Sequence, residues 1–442
     1  MKKHIINRTN EFGLKENYND YKINRVKDLS LINEKSLNEN TNFKYSFKYI
    51  DIGNVNQNGI VSTPETITFF EAPSRARRII NKNDIIISTV RTYLKAIAFI
   101  DFNSDNYIVS TGFAVLTPNK KVFSKFLAYY TQSELFIDKV IRESSGVSYP
   151  SINTSKLSSI EIFSPSIEEQ TEIANYLDTK TKAIDKKTEL LTKKIGYYKE
   201  YRKILINKAV TIGLDKNCKI KFTEHNFQVN NDYNLFRLKD LGYLYSGLSG
   251  KSGDDFNQDE NENNKGFIPF TNIANNTYLK KDQLGAVVVY ENENQNKVQK
   301  GDIFFLMSSE GYEDIGKSAI LDDDLEETYL NSFCKGYRVT NKKANPYFLN
   351  YLLLSDSYRK QLTIEGKGFT RINLKMEKVN DFKVYLPSSI DEQIKIVQFL
   401  DQKTQTIDNI IVNINKQIET LKELRKTLIN DVVTGKIKVV DN

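Results

Sequence analysis

The chain carries one long segment twice. Slid forward by 223 residues, Glu169 to Thr211 falls on Glu392 to Thr434 without a gap, and 20 of 43 positions are identical. The matches include Glu169-Gln170 with Glu392-Gln393, Leu177-Asp178 with Leu400-Asp401, and Leu205-Ile206-Asn207 with Leu428-Ile429-Asn430. Neither copy contains proline, and apolar residues recur at spacings of three and four. The first ladder is Ile173, Leu177, Thr181, Ile184, Thr188, Leu191, Ile195, Tyr198, Arg202, Leu205, Ala209. The second is Ile396, Leu400, Thr404, Ile407, Ile411, Ile414, Ile418, Leu421, Arg425, Leu428, Val432. Such ladders predict coiled-coil seams on helices of roughly 65 Å. Each helix starts after a Pro-Ser turn, Pro165-Ser166 or Pro387-Ser388. Acids follow in the first turn (Glu168, Glu169; Asp391, Glu392), where they complement the helix dipole. Gly196 interrupts the first helix at a cost of about 1 kcal/mol relative to Ala. Arg202 and Arg425 share a rung, where each either snorkels outward or reaches a carboxylate that sets the register.

The simplest partner for each helix is the other. The domain between them carries the chain back, so an antiparallel pair is expected; the alternative is that each seam binds a different protein. The stretches between the helices repeat more faintly. Arg25-Val26-Lys27-Asp28-Leu29 answers Arg237-Leu238-Lys239-Asp240-Leu241, Asn119-Lys120-Lys121 answers Asn341-Lys342-Lys343, and Gly146 through Ile152-Asn153 answers Gly366 through Ile372-Asn373. Short runs at 84–89, 97–100, 286–290 and 302–307 read as strands, and helical patterns follow at 123–141 and 347–362. The fold class is therefore α+β: two repeated mixed α/β domains, at 1–165 and 215–387, each followed by a long helix, at 166–214 and 388–436.

Composition narrows the class. The chain has 442 residues and a formal net charge of +7, a modest excess that suits a polyanionic partner. Cys218 and Cys334 are too few for a disulfide framework, so a reducing, cytoplasmic setting is expected. The start, Met1 to Arg8, has no apolar stretch behind its basic residues and is not read as a signal peptide. No run approaches the length of a membrane span.

Two related domains on matched helices suit DNA, where two readers on one face of a duplex contact sites about a helical turn apart. Diverged readers imply an asymmetric, split target. Here the chain resembles the specificity subunit of type I restriction–modification enzymes over nearly its whole length. The resemblance rests on the junction from Pro165-Ser166-Ile167-Glu168-Glu169-Gln170 to Asp178, repeated from Pro387-Ser388-Ser389-Ile390-Asp391-Glu392-Gln393 to Asp401. The ending from Leu428-Ile429-Asn430 to Gly435-Lys436 is likewise similar to the family's C-terminal helix. The resemblance implies target-recognition domains spaced by an antiparallel coiled coil. It also implies two methyltransferase subunits that carry S-adenosylmethionine and methylate adenine, and motor-nuclease subunits that join for restriction of foreign DNA.

Base edges are read by Arg, Lys, Ser, Thr, Asn and Gln, and phosphates by Lys, Arg and backbone amides. In the first domain the candidates are Arg75, Arg77 and Arg78; then Arg91, Tyr93 and Lys95; then Ser145, Ser148, Tyr149 and Ser151 in a Gly/Ser-rich loop. In the second they are Ser249, Lys251 and Ser252; Ser308, Ser309, Tyr312 and Lys317; and Lys367, Phe369, Thr370 and Arg371. Aligned on Gly146 and Gly366, Tyr149 matches Phe369 and Ser151 matches Arg371, so the loop keeps its frame while its polar content changes.

No catalytic site is read. Asn345-Pro346-Tyr347-Phe348 lacks the second proline of an adenine-methyltransferase box, and Pro346 reads as a first-turn helix residue. Gly250-Lys251-Ser252 lacks the first glycine of a phosphate loop. Glu365-Gly366-Lys367 has no counterpart in the first domain. His4, His225 and the two cysteines offer no zinc spacing, and Asp322-Asp323-Asp324 has no calcium-loop pattern. The rival readings are a specificity subunit serving a related modification system with a different effector, which the sequence barely separates; a coiled-coil adaptor joining proteins, against which the diverged loops speak; and an enzyme in its own right, against which the missing motifs speak.

Overall fold

The computed structural model describes residues 22–57, 59–215, 217–256, 258 and 261–439; the Met1 to Arg8 stretch and His4 lie outside them. The chain forms two compact units, Met1–Thr192 with Asn415–Asn442, and Lys193–Ile414. The division falls inside the long helices, so each unit holds one mixed α/β domain and part of both helices.

In the first unit a four-stranded antiparallel sheet runs in the order Ser30–Ile32, Phe113–Pro118, Ile85–Ser88, Ile97–Phe99. Its strand Ile85-Ile86-Ile87-Ser88 is buried at every position, because both faces are covered. Alternate side chains point to opposite faces. Ile85 and Ile87 pack with Phe126, Tyr130 and Phe136, while Ile86 packs with Ile50 and Val109 of a second sheet. That sheet runs Glu65–Thr68, Ser46–Ile50, Tyr107–Ser110, Ala76–Ile79. The second unit repeats the plan, with one sheet in the order Gly242–Ser246, Cys334–Val339, Ile303–Leu306, Ser318–Ile320 and another in the order Gly285–Val288, Asn264–Ile268, Thr328–Leu330. It adds a hairpin, Ile220–Phe222 with Gln228–Asn230. In each domain an early strand pairs antiparallel with the last: Lys22–Arg25 with Glu161–Ser164, and, after the hairpin, Asn234–Arg237 with Lys383–Leu386.

Each helical pattern read as continuous is broken once. Helix Ser124–Thr131 ends before Glu134–Glu143 because the Ser133 hydroxyl caps the second, accepting from the Phe136 amide at 3.3 Å. Pro346–Leu354 gives way to Asp356–Glu365 at Ser355. Pro346 opens its helix behind Asn345, whose side chain accepts from the Tyr347 and Phe348 amides at 3.0 Å, a capping arrangement.

The long helices are Ile167–Ile212 and Ile390–Val433, and every rung of both ladders is buried or half-buried. In the first unit Ile173, Ala174 and Leu177 share a core with Ile429, Val432 and Val433, and Arg425 Nε donates to Asp185 Oδ1 at 3.0 Å. In the second, Ile206, Ala209 and Val210 share a core with Ile396, Val397 and Leu400, and Arg202 Nε lies 3.6 Å from Asp408 Oδ1. Rising numbers on one helix meet falling numbers on the other, so the pairing is antiparallel in each unit. Of the two fates read for the shared arginine, the carboxylate contact is the one adopted.

The repeated signature residues fasten helix to domain. Buried Gln170 accepts from the Phe123 amide at 2.7 Å and donates to the Pro165 carbonyl at 2.9 Å. Gln393 does the same with Asn345 at 2.8 Å and Pro387 at 3.0 Å. Asp178 accepts from the Tyr129 hydroxyl at 2.8 Å, and Asp401 from that of Tyr351 at 2.6 Å. Asn430 accepts from the Leu135 amide at 3.3 Å, and Asn207 from the Ser357 amide at 2.9 Å. These last two bonds satisfy free amides at helix N-termini.

Candidate nucleic-acid interface

One loop recurs in both units with the same backbone. In the first, the Ser145 amide donates to the Ser151 carbonyl and the Ser151 amide to the Ser145 carbonyl, both at 2.9 Å. In the second, the Lys367 and Asn373 amides exchange the same bonds at 3.0 and 2.8 Å. Inside each pinch a glycine takes positive φ, Gly146 at 109° and Gly368 at 147°. A Cβ on Gly368 would lie 1.8 Å from the Arg371 carbonyl oxygen, so the turn closes only without one. The base of each loop is laced to a neighbouring segment. Ile152 donates to the Thr89 carbonyl and Leu374 to that of Met307, both at 2.9 Å.

This geometry corrects the frame read from sequence. Gly146 corresponds to Gly368 rather than Gly366, and the offset of 222 runs unbroken from the helix caps Ser133 and Ser355 through Pro165 and Pro387. Ser145 therefore answers Lys367, Val147 answers Phe369, Ser148 answers Thr370, Tyr149 answers Arg371 and Ser151 answers Asn373. The polar content differs as expected, at other pairs of residues.

The remaining candidates of the first unit divide. Arg91 has φ of 48° and lays its guanidinium over the exposed Tyr149 ring at 4.7 Å, which joins it to the loop. Tyr93 is exposed in the turn Thr92–Leu94. Lys95, past that turn, lines a cavity of about 380 Å³ with Glu134, Asp185, Glu419 and Glu423, so it faces the helices and not the loop. Arg75 is exposed and pairs with Asp51 at 2.9 Å; with Tyr49 and Asp51 beside it, its guanidinium is held further toward the charged form. Arg77 stacks over Phe69 at 4.7 Å. Arg78 is half-buried, its Nε has no hydrogen-bond partner, and burial pushes its pKa down. The dense basic patch is thus three side chains in three environments.

In the second unit, Ser308 and Ser309 pair with Asn373 and Ile372, which sets them at the root of the loop. Ser309 is buried and its hydroxyl accepts from Gly311 at 3.2 Å, so it shapes the turn that exposes Tyr312. Arg371 lies over Phe333 at 5.0 Å, and Lys367, Phe369 and Thr370 are exposed. Lys317 is held by Asp314 at 2.6 Å. Lys251 is only 6% exposed and bonds Glu293 at 2.6 Å, holding that carboxyl below its usual range; its ammonium is spent inside the protein. Ser249 and Ser252 sit in the same loop, fastened to Gln295 and Asp255. Sequence reasoning missed Arg359, which donates to the Ile315 and Glu313 carbonyls at 2.7 and 3.0 Å and supports the Tyr312 turn. Burial pushes it down to about 10, still charged at neutral pH. No local pattern marks it, because its partners lie more than forty residues away.

The near-misses have structural employment. Glu365 pairs with Lys378 at 2.9 Å, and Asp322 accepts from the Tyr347 hydroxyl at 2.6 Å. Among the described residues no group of three or more His, Cys, Asp or Glu is placed to hold a metal, and no helix is long and apolar enough to cross a membrane.

Comparison with known proteins agrees with this architecture. The family model described as type I restriction modification DNA specificity domain matches residues 18–195 and 230–420. The type I restriction enzyme MjaVIII specificity subunit of Methanocaldococcus jannaschii is 24% identical over 373 residues, 82% of this chain and 80% of its own length. The EcoKI specificity subunit of Escherichia coli K12 is 24% identical over 336 residues, covering 73% and 68%. Among solved structures, a chain from a study of type I R-M complex assembly and conformational transition superposes with a TM-score of 0.73. It is 19% identical and covers 93% of this chain and 97% of that one, a likeness of fold.

Proposed function

The chain belongs to the type I restriction-modification DNA specificity family, as its specificity subunit and a non-catalytic component, and on that premise we propose that each unit reads one half of a split, asymmetric duplex target. The reading domains are 1–165 and 215–387, and the helices 166–214 and 388–436 set the gap between half-targets. The observation that carries this reading is the recurrent loop, with one backbone frame in both units and different side chains on it. Reading is assigned to Ser145, Ser148, Tyr149 and Ser151 with Arg91 and Tyr93, and to Lys367, Phe369, Thr370 and Arg371 with Ser308 and Tyr312. Exposed Arg75 and half-buried Arg77 suit phosphates. Arg78, Ser249, Lys251, Ser252, Ser309 and Lys317 contribute by holding the loops and basic surface in place, and Lys95 by its charge against the long helices. The partners are duplex DNA, two methyltransferase subunits that supply S-adenosylmethionine, and motor-nuclease subunits. The setting is cytoplasmic, and the service is defence against phage.

The test is genome-wide adenine methylation in a strain expressing this chain with its methyltransferase. A motif of two unlike halves across a fixed gap is expected, and exchanging residues 1–164 for those of another family member should change one half alone. No motif with an active methyltransferase, or loss of both halves on exchange, overturns the reading.

A further inference from the structure

We propose, resting on the two-reader function above, that Val147 and Phe369 each read a thymine methyl group in the major groove. They hold the same position in the recurrent loop, one residue past the positive-φ glycine, and they are fully solvent-exposed, at 101% and 106%. A lone exposed apolar side chain needs no explanation. Two at matched apices do, because the reciprocal amide bonds and the lacing to Thr89 and Met307 hold both loops out from the domain. The side chains therefore cannot fold back to cover themselves without opening that ladder.

The surroundings name the occupant. Neither 144–151 nor 366–373 contains a carboxylate. Each apex stands beside an arginine braced on an aromatic ring, Arg91 on Tyr149 and Arg371 on Phe333, and Lys367 adds a further cation. A polyanion is accommodated on such a surface, and the apolar group that duplex DNA presents on a base edge is the thymine methyl. A wedge driven between base steps would suit Phe369, but Val147 is short and β-branched and makes a poor wedge. Methyl contact is the chemistry that both side chains can share. The adjacent hydroxyls, Ser148 and Thr370, are then placed to bond the neighbouring base edge or phosphate.

The experiment uses the complex of this chain with its methyltransferase subunits. Phe369→Ala should relax a single T·A position in the second half-target, with about a ten-fold loss of preference there, and Val147→Ala should do so in the first half-target. Replacing that thymine with deoxyuridine in a duplex should weaken the parent complex and leave the matching variant unmoved. Both variants should unfold at the parent temperature, since neither side chain is packed. An unchanged motif in both variants overturns the inference. So does a uniform loss of methylation with the motif intact, the signature of a wedge or of a contact to a partner subunit. If the parent complex itself yields no split motif, the two-reader function has failed, which separates that outcome from failure of the apices alone.

Discussion

Asp84 and Asp302 stand at the same place in the two reading domains, and their surroundings differ. Each caps the turn before a buried strand, accepting from Asn81 at 2.7 Å or Gln299 at 2.8 Å. Asp302 is then gripped by Arg338 through two bonds, at 2.8 and 2.7 Å, and by the Tyr245 hydroxyl at 2.6 Å. In the first unit Thr117 stands where Arg338 does, and Lys35 acts on Asp84 only as a weak, opposing charge. Burial accordingly raises the Asp84 pKa. The same cap is an ion pair in one unit and a buried acid held by neutral hydrogen bonds in the other. The scaffold therefore tolerates change as long as the cap itself is kept.

Asp302→Asn should break this comparison most strongly. It leaves Arg338 mostly buried without its carboxylate, at a cost of about 3 kcal/mol in urea unfolding of the full chain at pH 7. Asp84→Asn keeps an oxygen for the cap and strands no cation, so it should shift stability by less than about 1 kcal/mol. The pH dependence has a sign. An acid whose folded pKa is raised holds its proton in the folded state after the unfolded chain has released it, so stability falls as pH rises from the ordinary Asp value through the raised one. Asp84→Asn should remove that slope. Equal losses from the two substitutions would mean that Arg338 contributes nothing.

A second pair should give equality where the first gives contrast. Gln170 and Gln393 make matched bonds at matched distances. Replacing either by Ala removes the partner of a largely shielded amide and carbonyl, so each should cost about 2 kcal/mol, read by the same urea unfolding. A loss confined to one glutamine would show that the helix–domain fastening is not shared.

What the sequence discloses follows the same division between frame and contact. The ladders were legible because a period of three and four survives any partner, and every rung is buried or half-buried as read. The pairing of Arg425 with Asp185 was only half legible: both residues recur in the repeat, but nothing local joins positions 240 apart. The loop was found and misaligned by two residues. Gly366 offered a match to Gly146, and Ile372-Asn373 matched Ile152-Asn153 in letters, whereas the backbone decides by φ and by the amide pinch. Lys251 read as an open loop cation, because Glu293, the residue that engages it, lies 42 positions away. Lys317 was more readable, its Asp314 being only three residues back.

The long helices supply the smallest test. At one matched position between rungs the first carries Gly196 and the second Glu419. A Cβ added at Gly196 meets nothing within 4 Å, and the position is exposed on a helical backbone. Gly196→Ala therefore exchanges backbone freedom in the unfolded chain for no clash in the folded one, and should stabilise the protein by about 1 kcal/mol. The methylation motif and gap length should stay as they are, because no rung moves. If stability rises but methylation falls, the open space beside Gly196 is needed by a partner subunit that approaches the backbone there. The first helix would then have diverged from the second for assembly, as the proposed reading loops differ in the side chains they carry.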